Sequence, residues 1–432
     1  MYTLPNKLKL FAIVFMVIGA LGMVAGFVNA PGSQEEVKEM LAHHDNHGDA
    51  GHAESSQHDD AHVEHVYHQL QNKPWSAVYV AAFFFFMIAL GALAFYAIQH
   101  VSQAGWSPVL FRVMEGITGY LVPGSIIMFI LLVLSAMHVN HIFHWMNAEL
   151  FDPASEKYDA LVANKSAWLN ETSFLIRAAI YLLGWNAYRY FSRKYSLKQD
   201  EEGGMHWFKK NFKISAGFLV FFIVTESMMS WDWIMGFDPH WFSTLFGWYV
   251  LSGMLVSAIT VIAMVAVYLK SQGYLEHLNN SHIHDLAKFM FGFSIFWTYL
   301  WFSQFMLIWY ANIPEEVTYF VSRIEDYNLL FFGMLALNFV FPLLLLMNSD
   351  FKRVNWLVIG TGIIILIGHY IDVFVMVMPA TVGDSWFIGL PEISALLFFF
   401  GLFVYVVFST LAKAPLLAKG SPFIEESKHF HY

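Results

Sequence analysis

The sequence contains no cysteine. That excludes disulfides, zinc–thiolate sites, thiolate-held iron–sulfur clusters and covalently attached haem c within this chain. Charge is also scarce: Asp, Glu, Lys and Arg make up 13% of the 432 residues, where a soluble domain carries about 25%. Cations are the scarcer sign, with 23 Lys and Arg against 33 Asp and Glu and a net charge of −10, which argues against a nucleic-acid partner. What is present is apolar: 57% of residues are hydrophobic and 18% aromatic. This is the composition of an all-α polytopic membrane protein.

A bilayer core takes about 20 apolar residues per helix. Ten segments meet that need, near residues 8–28, 75–98, 117–138, 171–191, 212–234, 244–270, 287–311, 327–347, 355–378 and 391–412. The first follows Lys7 and Lys9 as a signal peptide would, but it is long for one, and an uncleaved helix is expected. Five cations, Lys38, Lys73, Lys157, Lys165 and Arg323, fall on one side of the ten spans, and Arg177 falls inside one. The remaining 17 lie on the side that holds both termini. The positive-inside rule makes that side cytoplasmic. The spacing allows two four-helix bundles, spans 2–5 in residues 75–234 and spans 6–9 in 235–378. Span 1 (1–29) and span 10 with its tail (379–432) are then peripheral.

Residues 30–74 form the one long connection. They hold His43, His44, His47, His52, His58, His62, His65 and His68 among Asp, Glu, Gly and Ser. So polar a stretch is expected to be a solvated acidic outer loop. Weak metal capture or docking to a neighbouring subunit is the alternative for a His-rich tract, and no defined metal site is expected. On the opposite side, the basic segment 192–211 is expected to meet anionic headgroups.

Ionisable groups within spans are costly and mark functional sites. With this orientation Glu171, Asp232, Asp238, Glu315, Glu316, Asp326 and Glu392 collect on the outer side, and Glu226 and Asp372 lie deeper. Glu115 and Asp285 sit at the inner rim. His369 and Asp372, three residues apart, share a helix face and could form a proton relay, or a satisfied pair that locks two helices. Arg177 lies at a depth similar to Glu226, and a Glu226–Arg177 ion pair is expected. His138, His141 and His144 close span 3 and could hold an interfacial relay. Asp238 and His240 follow span 5 in an aromatic stretch. Gln304 in span 7, with Glu315 beyond it, could contact a quinone or a neighbouring helix. Pro123 and Pro342 are expected to kink their helices.

Several segments together resemble one family. They are Ser227–Trp233 (SMMSWDW), Phe237–Tyr249 (FDPHWFSTLFGWY), Asn164–Asn170 (NKSAWLN) and Phe302–Glu316 (FSQFMLIWYANIPEE). They look like the membrane subunits of bacterial alternative complex III, within the wider group of polysulfide-reductase membrane subunits. The likeness covers roughly residues 75–412. It implies a subunit of a quinol:cytochrome c or other electron-acceptor oxidoreductase in the bacterial cytoplasmic membrane. It also implies iron–sulfur, haem c and paralogous ten-helix partner subunits, with the iron–sulfur clusters and haem c held on those partners. Of the two paralogues, the long His-rich loop and modest length resemble the one discussed as a companion with a proton path. That likeness weighs against this chain forming the quinol pocket itself, although menaquinone or ubiquinone remains its candidate ligand. Residue by residue it covers Asp232, Asp238, His240, Gln304, Glu315 and Glu316.

Without cysteine or a facing pair of histidines for haem, the chain is not expected to carry electrons. The expected role is to accept protons from quinol oxidation and release them outward. The rivals are a structural anchor without a quinone site and an ion or small-molecule transporter. A transporter would be expected to show paired broken helices at the midplane.

Overall fold

The computed structural model describes residues 2–45 and 60–431. These are helical, with no strand among them. In chain order the helices are α1 (Asn6–Val28), α2 (Gln34–Asp45), α3 (Asp60–Val101), α4 (Phe111–Ile117), α5 (Leu121–Ala136), α6 (Ala160–Asn164), α7 (Glu171–Glu202) and α8 (His206–Trp233). There follow α9 (Phe246–Ser271), α10 (Asn280–Ala311), α11 (Pro314–Glu325), α12 (Asn328–Leu335), α13 (Phe341–Leu346), α14 (Asn355–Val382), α15 (Leu390–Leu411) and α16 (Ile424–Lys428).

Nine helical segments among the described residues are long and apolar enough to cross a membrane: 6–28, 66–101, 108–136, 206–237, 246–271, 280–311, 328–346, 355–382 and 390–411. They coincide with nine of the ten expected spans. The tenth, α7, has the length at 32 residues but is too polar to count by composition.

The long outer loop is corrected. Apart from residues 46–59, which lie outside the described residues with His47, His52 and His58, most of segment 30–74 is helical: α2 and the start of α3 occupy it. A small apolar cluster of Val37, Val63 and Val66 explains this, because it gives the two helices a shared buried seam. Asn72 then ties α3 to the chain after α5: its amide donates to the His141 carbonyl at 3.2 Å and its carbonyl accepts from the His141 N–H at 3.1 Å.

α3 is the central post. It packs on α5 and α8 on one side, on α9 and α14 on another, and on α15. Its residues 77–97 are almost wholly buried. α1 lies against α15, outside the rest, and glycines permit the approach. A Cβ on Gly19 would sit 2.4 Å from the Phe398 nitrogen, and one on Gly401 would sit 2.6 Å from the Ala12 carbonyl. Small residues of this kind let membrane helices close without clashing. The Tyr2 ring packs 6.1 Å from Phe408 at the end of α15, so both chain ends lie on one face.

The expected kinks have specific forms. The third span is broken by a 3₁₀ turn at Thr118–Tyr120, just before Pro123. The eighth carries a π segment, Ala336–Val340, immediately before Pro342. Ser243 and Thr244 do not cap α9 with their side chains.

Candidate functional site

Two buried carboxylates are gripped in the same way in different parts of the molecule. Asp232, at the end of α8, is 2% exposed. It accepts from Arg177 Nε and Nη2, both at 2.8 Å, from Trp168 Nε1 at 2.9 Å and from the Tyr181 hydroxyl at 3.2 Å. Asp372, in α14, is also 2% exposed. It accepts from the Tyr249 hydroxyl and from Trp297 Nε1 at 2.9 Å, with His369 Nδ1 at 3.4 Å. Each acid thus has a tryptophan and a tyrosine donor. Only Asp232 has a permanent cation.

This overturns the expected Glu226–Arg177 pair, since Arg177 binds Asp232. Side chains on a helix lean toward its N-terminus. The Arg177 guanidinium therefore reaches back, donates to the Trp168 carbonyl at 3.2 Å and stacks 4.1 Å over the Trp168 ring. Asp232 is level with that position. Glu226 lies six residues earlier, about 9 Å along the axis.

Glu226 is left fully buried, and neither carboxyl oxygen has a hydrogen-bond partner. The adjacent Ser227 hydroxyl donates to the Ile223 carbonyl instead. Glu226 shares a helix face with Phe222, Met229 and Trp233, all buried, and Trp233 packs on Phe86, Tyr181 and Trp185. Buried polar groups without partners are rare. An acid in that state among helices is a candidate for proton exchange or internal hydration.

His369 and Asp372 are brought together as their spacing indicated. His369 Nε2 is buried without a partner. Gly253 in α9 faces the pair: a Cβ there would make ordinary contact, 3.4 Å from His369 Nδ1 and 3.7 Å from Asp372 Oδ2. Beside Asp372 is a small cavity of about 10 Å³, lined by Tyr249, Gln304, Tyr319 and Arg323 among others. Gln304 Nε2 faces no acceptor. Arg323 is 3% exposed and has no carboxylate within ion-pair distance among the described residues. Its Nη1 donates to the Tyr319 carbonyl at 2.7 Å, and its guanidinium lies 3.4 Å from the Tyr319 ring centre.

A cavity of that size holds about one water. That is smaller than a quinone ring. Glu315 does not join the lining: it is exposed in the first turn of α11.

The remaining candidates face an open chamber of about 1,130 Å³, lined by His68, His138, His141, His144, Asp238 and His240. His240 Nε2 lies 2.5 Å from Asp159 Oδ2. Partial burial works to raise the Asp159 carboxyl, but His240 and the amides of Val162 and Leu161 outweigh it and hold it below the usual range. Burial lowers His141, helped by His68 and His138. Burial also lowers Lys165, against the pull of Asp238 and Asp159. His138 Nε2 lies 3.3 Å from Glu171. No three His, Asp or Glu among the described residues converge as metal ligands. The chamber and the small cavity are linked by an aromatic stack: Trp241, next to His240, lies 3.8 Å from Tyr319.

The end that holds both chain termini is richer than the sequence indicated. Glu115 is 3% exposed rather than at the rim. Arg112 binds it at 2.5 Å and also binds Asp200, while the Tyr96 hydroxyl donates to Glu115 at 3.2 Å and accepts from Asn211 at 3.2 Å. A cavity of about 20 Å³ adjoins this cluster, lined by His100, Asn211 and Ser421. Both His100 nitrogens, Asn211 Oδ1 and Ser421 Oγ lack partners, and the space suits one water. Tyr96, Tyr249, Trp297 and Arg323 had no distinguishing signal in a chain so rich in aromatics. Arg112 and Asp200 could have been linked only by knowing that α4 and α7 touch.

No protein-family model matches the chain, and no curated protein gives a significant match.

Proposed function

We propose that the chain is an integral subunit of a bacterial respiratory quinol:electron-acceptor oxidoreductase of the alternative complex III type, in the cytoplasmic membrane with both termini inside. In this reading α7 is the tenth span. One bundle comprises α3, α4–α5, α7 and α8; the other comprises α9, α10, α12–α13 and α14. Iron–sulfur, haem c and paralogous membrane subunits are the partners and hold the redox centres. The share of this chain is to take up protons released by quinol oxidation and pass them to the outer side.

One observation carries the reading: Asp372 sits buried with hydrogen-bond donors but no permanent cation, beside a water-sized cavity whose lining residue Tyr319 stacks on Trp241, the neighbour of His240 in a chamber of imidazoles and carboxylates. Asp232, neutralised by Arg177, is by contrast built to hold α7 against α8. A proton held on Asp372 can pass to water beside Gln304 and Tyr319, and from there toward Asp238 and His240. General acid–base transfer needs only such successive contacts at hydrogen-bond distance. Glu226 is the matching acid of the first bundle.

Affinity purification from native membranes tests the assignment. Haem c and iron–sulfur proteins should co-isolate with the chain and oxidise quinol. A chain that isolates alone, and moves a solute across vesicles instead, would overturn it in favour of a transporter.

A further inference from the structure

We infer that the surface stripe of Arg189 and Arg193, on the side of the molecule that holds both chain ends, binds the phosphate of an anionic phospholipid. The inference starts from a count of buried charge. Three arginines, Arg112, Arg189 and Arg193, meet two carboxylates, Glu115 and Asp200, at this end of α7. Arg112 takes both acids closely. Arg193 reaches Glu115 only at 3.5 Å, and the Thr410 carbonyl at the end of α15 also at 3.5 Å. Arg189 has no carboxylate within ion-pair distance among the described residues, and its Nε is buried without a hydrogen-bond partner.

The surroundings say what could supply the missing acceptor. Asn186, Arg189 and Arg193 lie three and four residues apart, on one stripe of α7. Asn186 donates to Ser125 of α5 at 2.8 Å, and its own Oδ1 is buried and unpartnered. The stripe therefore borders α5 at one end and α15 at the other. The flanking residues are apolar and outward-facing: Val122, Ile126, Leu183 and Tyr190 are between 41% and 71% exposed. Among the described residues no carboxylate pairs with Arg189. A lipid phosphate can do so, with its acyl chains along the exposed apolar side chains. Two guanidiniums one turn apart present forked donors suited to phosphate oxygens. The exposed Lys194, over the Tyr190 ring, adds the longer-range attraction that basic segments exert on anionic membrane surfaces.

Native mass spectrometry of the full chain, purified in mild detergent and titrated with phosphatidylglycerol, tests this. Wild-type protein should retain the lipid. Arg189→Gln should weaken binding about tenfold, the worth of one charge-assisted contact, while Lys194→Gln stays within twofold. Arg189→Lys, which keeps the charge but loses the fork, should weaken it about threefold and guards against a folding defect in the neutral variant. Inorganic phosphate at millimolar concentration should not displace the lipid. Unchanged phosphatidylglycerol binding in both Arg189 variants overturns the inference, and so does displacement by inorganic phosphate, which would make the stripe a site for the free ion.

Discussion

At the scale of single residues, the ion pair between Arg177 and Asp232 makes the sharpest demand. Removing one partner of a buried, fully hydrogen-bonded pair strands the other charge and costs about 3–5 kcal/mol. Arg177→Leu should therefore lower the denaturant midpoint of the purified protein markedly, and Arg177→Leu with Asp232→Asn should recover part of the loss. Equal stability of the single variant and wild type would contradict the geometry. Asp159 makes a milder demand in the loop before α7. It caps α6 by accepting from the Leu161 and Val162 amides at 2.9 and 3.1 Å. Its carboxyl is held below the usual aspartate value, so its stabilisation is complete above about pH 4 and fades as pH falls through the lowered value. Hydrogen exchange at those two amides, corrected for intrinsic rate, should speed up in acid. Asp159→Ala should cost about 1 kcal/mol and remove that acid dependence.

At the scale of helices, the seam between α1 and α15 depends on missing side chains. Gly401→Leu puts carbon where the Ala12 carbonyl and the Met16 nitrogen already lie within 3 Å of the built Cβ. Overpacking of this kind costs about 1–3 kcal/mol. Gly217→Ala, in open space on α8, should instead stabilise by about 0.5–1 kcal/mol. Unfolding of both variants in mixed micelles would show whether the signs are opposite. Much of this level was legible in the sequence, because hydropathy marks apolar runs whatever they pack against, and nine runs fall where helices lie. α7 is the instructive exception. It carries Arg177, Asn186 and Arg193 toward partners on other elements, and composition alone cannot see those partners. The polar stretch before α3 misled for the reverse reason: three valines sufficed to seat α2 on α3.

At the scale of the whole molecule, the two halves each enclose a carboxylate held by tryptophan and tyrosine, and they differ in whether a cation is attached. His369 with Asp372 was legible because both lie on one helix at a spacing of three. The donors Tyr249 and Trp297 come from α9 and α10; no sequence spacing encodes such a meeting. Arg177 was paired with the wrong acid because depth in a span was judged from position along the helix, without the backward lean of its side chain. The cluster of Arg112, Glu115 and Asp200 was missed because it joins residues 88 positions apart.

The most direct test measures quinol oxidation and proton release together, in the intact complex, with Asp372→Asn and Glu226→Gln introduced separately. Both variants should assemble with their partner subunits. Asp372→Asn should slow quinol turnover at least tenfold, within the range that one positioned acid–base group contributes, with outward proton release falling in step. Turnover and proton yield at wild-type levels in both variants would contradict the account and leave the chain a membrane scaffold.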